Sequence, residues 1–275
     1  VGTDPEWRFE GRAGLTYREA AGAMPWKARV RGVMSGEDDY RSVTGIVDTQ
    51  VELRERTVVT TASLGIGSDD STPPIDAPSP AASHSARLFG SVGVAVVTTP
   101  RTVIYTGVAL SRQRGQLASP YRTAIRGESE MPETLPDERV RATTFVQAAY
   151  AISATAALHA RLGAYADSWG VRAAIPEVAL VRSVTERLDV TLGYRQYRQS
   201  AADADVTDSA TTWSDDGRLR ALTDHRLDVR AAWRSGTLDD GLSVRAGYGL
   251  SLLSVEGAEH LEPAHTFHVG AAAEF

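Results

Sequence analysis

The chain has 275 residues, no cysteine, 42% hydrophobic residues and a formal net charge of −6. The missing thiol removes disulfides, thiolate catalysis and cysteine metal sites, and the acidic balance argues against a nucleic-acid partner. No run approaches the ~18 apolar residues of a membrane-spanning helix.

The first element is read at 6–19, EWRFEGRAGLTYRE. Trp7, Phe9, Ala13, Leu15 and Tyr17 fall on one side; Arg8, Glu10, Arg12, Thr16 and Arg18 fall on the other. That period of two marks a strand with unlike faces. In a soluble sandwich the apolar side is core, whereas in an outer-membrane barrel it faces lipid and the polar side lines the lumen. WKARVRGVM (26–34) repeats the pattern, with Trp26, Ala28, Val30 and Met34 against Lys27, Arg29 and Arg31. VTGIVDTQVEL (43–53) sets Val43, Val47, Val51 and Leu53 against Thr44, Asp48, Gln50 and Glu52. Further strands are expected near 57–67, 86–97, 102–112, 139–152, 157–167, 171–182, 188–199, 219–234, 242–253 and 265–275. Most run for about ten to thirteen residues, longer than a globular strand and matched to a tilted membrane strand. VQAAYAISATAALHARLGAYA is rich enough in Ala for a helix. Leu158, Ala160, Leu162 and Ala164 nevertheless alternate with His159, Arg161, Gly163 and Tyr165, so two strands joined at 153–155 are predicted. Pro176 predicts a bulge within 171–182 and leaves the facing of that strand open.

The connections sort into two kinds. Short ones fall at 19–25, 54–56, 98–101, 153–156, 183–187 and 235–241. Between them come 35–40 and longer polar segments at 68–85, 113–138, 200–217 and 254–264, with a short link at 167–170 as the exception. Alternation of short turns with long loops describes an up-and-down membrane barrel, and a Greek-key sandwich has no reason to sort its loops this way. The long-side loops carry nineteen acids and three arginines. The polar strand faces lean basic, through Arg8, Arg12, Arg18, Lys27, Arg29, Arg31, Arg161, Arg195, Arg226, Arg230 and Arg245 against Glu10, Asp48, Glu52, Asp167, Asp189 and Asp228. An alternating final strand, HVGAAAEF, closes on the aromatic Phe275. Together these assign the apolar faces to lipid and predict an all-β, transmembrane up-and-down antiparallel barrel forming a single domain over 1–275.

Three stretches, SPYRTAI (119–125), ARLGAYADSWGVR (160–172) and GYRQYRQSAADAD (193–205), resemble an outer-membrane barrel family of unknown function, domain-of-unknown-function family 3570. The resemblance implies an integral barrel of the bacterial outer membrane and carries no established activity. The low aromatic content, 7%, and the Gln196–Tyr197 pair depart from the family's habit. Its family-like residues, Asp167, Trp169, Gly170, Tyr194, Tyr197 and Asp203, are expected to form a rim cluster, with Trp169 at the membrane interface and Gly170 permitting a tight reversal.

About thirteen strands are counted, whereas single-chain bacterial barrels have even numbers, so a barrel of about sixteen with N-terminal strands outside this chain is expected. A miscount near Pro176 or 40–67 would leave about twelve or fourteen. The first functional expectation is a porin-like channel with an arginine-rich lumen, lined by the basic residues above together with Glu10, Asp48, Glu52 and Asp228. Against it stands a wall whose arginines simply pair across strands. The alternative is a plugged or partner-filled barrel acting as a scaffold for another envelope protein, with 113–138 as one candidate plug and a solvated surface loop as the plainer reading. Catalysis is not expected, since His159, Asp167, Ser168 and His268 show no diagnostic spacing. Asp69–Asp70 and Glu37–Asp39 lack the spacing of a calcium loop and read as a solvated acidic rim. No cofactor or metal is expected; the expected partners are outer-membrane lipid and lipopolysaccharide.

Overall fold

The computed structural model describes residues 8–19, 24–79, 81–235, 241–257 and 262–274. Period-two alternation places successive side chains on opposite sides of an extended chain, and the segments that show it become strands. In chain order they are β1 (Phe9–Glu19), β2 (Trp26–Gly36), β3 (Tyr40–Leu53), β4 (Val58–Ser71), β5 (Ser83–Thr99) and β6 (Thr102–Gly115). A small hairpin follows, β7 (Thr123–Arg126) and β8 (Ser129–Pro132). Then come β9 (Glu138–Ser153), β10 (Ala156–Asp167), β11 (Arg172–Ser183), β12 (Leu188–Gln199), β13 (Leu222–Arg234), β14 (Gly241–Val255) and β15 (Glu262–Glu274).

All but the hairpin belong to one thirteen-stranded antiparallel sheet in chain order, with β6 and β9 as neighbours across the hairpin. β1 pairs with β2 and β15 with β14; among the described residues no ladder joins β1 to β15. The Ala-rich piece is two strands, as its alternation requires, with β9 ending at Ser153 and β10 starting at Ala156. Pro176 does not create the expected bulge. Ala174 faces Arg198 and Glu177 faces Arg195, so equal lengths separate the pairs on both strands and the register passes straight through. The proline costs only local ladder bonds, because it has no N–H to give.

The two faces of the sheet differ throughout. Leu15 is 77% exposed, Leu64 60% and Ile66 64%, and apolar side chains of this kind recur along the same face of the other strands. A soluble protein rarely exposes a contiguous patch of that extent, whereas lipid solvates it. Ordinary core is scarce: Ala124, Trp169, Val171, Ala173, Val206 and Leu219 are the buried hydrophobic residues among those described. All six lie toward the long-loop end. There the segment 200–221 contains a single helical turn, α1 (Ala204–Thr207), and a 3-10 turn at Gly217–Leu219.

Candidate functional site

The polar face carries every charged residue that parity assigned to the lumen. On β1–β3, Glu10 and Asp48 are each shared between two arginines. Glu10 receives Arg12 at 2.6 Å and lies 3.7 Å from Arg8. Asp48 on β3 takes Arg31 through Nε at 2.9 Å and a second guanidinium nitrogen at 2.8 Å. Arg29 at 3.3 Å and the Ser63 hydroxyl at 3.0 Å complete its shell. Glu52 pairs with Arg56 in the turn beyond β3, at 3.1 Å. Lys27 joins Arg29, Asp48 and Gln50 around a recess of about 280 Å³. Arg18 stands opposite Lys27 in the β1–β2 register.

The densest group lies on β10–β14. Arg161 and Arg195 flank Glu177 at 3.4 and 3.7 Å, and Arg226 donates to Asp228 at 3.0 Å. These residues, with Arg230, His159, Gln147 and His268, line a recess of about 640 Å³. Arg230 has no carboxylate within ion-pair distance among the described residues, and Arg245 on β14 has none either. Arg161 is further held 4.4 Å above the ring of Phe145, which itself meets Tyr105 edge-on at 4.9 Å. Four arginines therefore surround two carboxylates, and the recess keeps a positive surplus even after its ion pairs are counted. Pairs this exposed contribute about 0–1 kcal/mol each, so their weight is in the local field rather than in stability.

Of the residues expected at the rim, Asp167, Trp169, Gly170 and Asp203 meet at the β10–β11 reversal. The Asp167 side chain is fully buried. It pairs with Arg139, accepts Tyr165 Oη at 2.5 Å, and accepts the backbone N–H groups of Trp169 at 2.9 Å and Val171 at 3.1 Å. Those two N–H groups belong to the reversal between β10 and β11, so the carboxylate staples the turn shut. Gly170 takes a φ of +83° there, and a Cβ on it would overlap the Asp203 carboxylate. The Asp203 N–H donates to the Trp169 carbonyl at 2.9 Å. Among the described residues neither Tyr194 nor Tyr197 shares a hydrogen bond with this group. Tyr197 is on the polar face, donating to Gln199 at 2.6 Å. Tyr194 is on the opposite, apolar face and shares a hydrogen bond with His225 at 2.8 Å.

Trp169 corrects the expectation of an interfacial indole. It is 4% exposed and packs with Val206 and Leu219, with Leu117, Leu135 and Ala202 around them. Its Nε1 donates to the Glu138 carbonyl at 2.9 Å, and the Arg139 guanidinium lies 4.2 Å over the ring. The long loops 116–137 and 200–221 close over this indole. Thr134 and Trp213 exchange backbone hydrogen bonds at 3.1 and 2.8 Å, and Trp213 Nε1 donates to the Pro132 carbonyl at 2.8 Å. Ile125 N donates to Asp215 at 2.8 Å, Arg126 covers the Trp213 ring at 4.3 Å, and Arg122 pairs with Asp216. Burial alone would raise the Asp216 carboxyl, but hydrogen bonds from Arg218 and the charges of Arg218 and Arg122 hold it below the usual 3.8. The segment 113–138 is thus neither a bare solvated loop nor a free plug: it is half of a small folded cap.

The acidic rim also departs from expectation. Asp69 is 9% exposed, accepting Tyr40 Oη at 2.8 Å and pairing with Arg87 at 3.3 Å, while Asp70 on the other face meets His84 at 2.8 Å. A cavity of about 860 Å³ beside them is lined by Glu37, Asp38, Asp39 and Gln116–Tyr121. Several residues of the polar face escaped the sequence reading although parity marks them. Arg139 and Arg141 alternate with Val140 and Ala142, and Glu177 was hidden by the suspicion attached to Pro176. Trp213 gave no signal, because Pro132, whose carbonyl its indole meets, is 81 residues away.

A search of curated protein sequences finds no match. In structure the chain is similar to the ferric enterobactin receptor of Pseudomonas aeruginosa, with a TM-score of 0.58 and 11% identity over 90% of this chain and 43% of that one. It is also similar to the siderophore receptor PirA of Pseudomonas aeruginosa, at 0.54 and 10% over 95% and 50%. PirA of Acinetobacter baumannii gives 0.52 and 10% over 94% and 48%. The chain spans half or less of the length of these receptors, and at such identities what is shared is the fold, that of outer-membrane β-barrels. The family model described as "Protein of unknown function (DUF3570)" matches residues 86–236. Since that match covers more than half of its length, the chain belongs to the DUF3570 family.

Proposed function

We propose that this barrel is a channel that favours anions, with the polar face of the sheet as the wall of its lumen. The observation that carries the reading is the recess on β10–β14, where among the described residues Arg161, Arg195, Arg226 and Arg230 stand with two carboxylates, Glu177 and Asp228. A low-dielectric wall focuses the field of such a surplus into the passage and raises the local anion concentration. Paired arginines still contribute, because each of Glu10, Asp48 and Glu177 is shared by two of them. The ion pairs then hold the guanidinium groups upright against the wall, and the surplus supplies selectivity. His159 and His268 are wall residues in this reading, with no chemistry assigned to them.

The folded cap favours a second reading. Two loops locked together by Trp213 and sealed by Trp169 would narrow the outer mouth, as a plugged or partner-filled scaffold requires. The full-length protein in a planar bilayer under a tenfold KCl gradient separates the two. An open conductance that reverses toward the chloride potential, and shifts toward the potassium potential in Arg230→Glu/Arg245→Glu, supports the channel. Neither arginine has an ion pair to break among the described residues. Conductance without selectivity, or none from a folded barrel, overturns it, and the latter favours the scaffold.

A further inference from the structure

The apolar face differs from end to end, although Arg182 stands at its short-turn end and Phe9 at its long-loop end. Toward the short turns it carries aromatic residues: Tyr17 against Trp26 with centroids 5.1 Å apart, and Tyr150 and Trp233. Toward the long loops it carries arginine. Arg112 and Arg114 on β6 clasp Glu138 on β9 at 2.8 and 2.7 Å. Arg172 on β11 and Arg198 on β12 point the same way and are exposed. Along β9, Tyr150 and Glu138 are separated by about 40 Å of strand, or about 30 Å along the membrane normal at an ordinary tilt of ~40°. An apolar band is about 25 Å tall. Glu138 and its two arginines therefore stand just beyond the hydrocarbon, on the side where the headgroups of the outer leaflet lie, and Arg198, ten residues along β12 from the Trp233 level, lies about 25 Å from it by the same measure, at the edge of that band.

Arg172 and Arg198 differ from the Arg112–Arg114–Glu138 group in one respect: no carboxylate lies within 4.0 Å of either among the described residues. Between and below them runs an open groove of about 640 Å³. Small side chains, Ala174, Thr223 and Ser254, form much of its floor, and Ser200 and the carboxylate of Glu256 also line it. The Ser200 hydroxyl is tied to the backbone of the reversal, accepting the Arg172 N–H at 3.0 Å. The strands beneath the groove thus hold the arginine backbones fixed, while among the described residues no side chain pairs with their guanidinium groups.

We propose that this outward groove is a binding site for the phosphate of an outer-leaflet glycolipid headgroup, held by Arg172 and Arg198. Guanidinium is the side chain suited to the task, because its planar fork meets phosphate oxygens in bidentate fashion and carries its charge at every physiological pH. Two unpaired cations at the headgroup plane, next to a lipid-facing band, meet lipid before they meet a soluble anion. The small floor leaves room for a sugar ring between the two arginines. The lipopolysaccharide expected as a general neighbour thereby acquires a specific seat. The proposal rests on the barrel fold alone and is independent of whether the lumen conducts.

The test uses the full-length protein purified in detergent and native mass spectrometry with added lipid A, in its phosphorylated form and stripped of phosphate. The phosphorylated lipid is expected to bind the parent protein at least tenfold more tightly than the stripped lipid. Arg172→Gln/Arg198→Gln should lose that preference and Arg172→Lys/Arg198→Lys should keep part of it. Retention of heat-modifiable gel mobility shows that each variant is folded. If the Gln pair fails to fold, the two lipids on the parent and the Lys pair still decide. Equal binding of both lipids by the parent, or undiminished binding by a folded Gln pair, overturns the proposal. Full displacement of the lipid by millimolar inorganic phosphate also overturns it, since the groove would then be a site for the free anion.

Discussion

Replacing Trp169 with alanine should open the cap and leave the barrel standing. The indole is 4% exposed, and its neighbours Val206, Leu219, Leu117, Leu135 and Ala202 all lie in the segments 116–137 and 200–221. Truncating a buried tryptophan costs about 3–5 kcal/mol including the cavity left behind. The bond from Nε1 to the Glu138 carbonyl contributes about 1 kcal/mol, and the Arg139 contact about 0.5–1 kcal/mol. These terms overlap in one cluster and do not add, so a loss of about 4 kcal/mol is taken. At ~1.4 kcal/mol per tenfold, the open population of the cap rises by roughly a thousandfold, up to full opening. No strand ladder depends on the indole, so the cost falls on a local unit. Brief trypsin treatment reads it through cleavage at Arg122 and Arg126, with hydrogen exchange over 200–221 as the second measure. Both should rise steeply while heat-modifiable mobility persists. Unchanged cleavage, or loss of the barrel together with the cap, would refute the reasoning.

Further outcomes follow from the same geometry. Gly170→Ala forces a side chain into a φ of +83° and against the Asp203 carboxylate; the backbone term alone costs about 1–2 kcal/mol, and adding Asp203→Ala should restore part of the loss in hydrogen exchange. Asp167→Ala strands Arg139, whose side chain is 15% exposed; breaking a buried pair costs about 3–5 kcal/mol, so trypsin sensitivity near the β10–β11 reversal should match that of the tryptophan variant. Acid should loosen the cap through Asp216. Its folded carboxyl lies below its ordinary 3.8, so the stabilisation is complete well above that value and fades as pH falls through it. Hydrogen exchange over 200–221 should therefore rise below about pH 4 and do so less in Asp216→Asn.

The strand pattern was legible because parity is a local property: Val30 beside Arg31 declares two faces whatever lies far away. The same rule placed Asp48 opposite the arginines of β2, where the structure finds them bonded. It failed where caution about one residue outweighed it, as with Glu177 beside Pro176. The cap was not legible. Its contacts join 116–137 to 200–221 across the ends of four strands, and no period announces that Trp213 will meet Pro132. Trp169 misled for a related reason, since an indole beside a turn suits an interface or a small core equally well, and only the partner loop decides. Asp69 likewise looked solvated until Tyr40 and Arg87 arrived from neighbouring strands. Phe275, offered as a terminal signature, lies outside the described residues.

The central claim is that the arginine face lines a water-filled interior while the opposite face meets lipid. The chain has no cysteine of its own, so single replacements at Val229 and Arg230, adjacent on β13, can be labelled in outer membranes with a charged, water-soluble maleimide. The account predicts rapid labelling of Arg230→Cys and protection of Val229→Cys. Equal labelling of the two, or labelling of Val229→Cys alone, would contradict it.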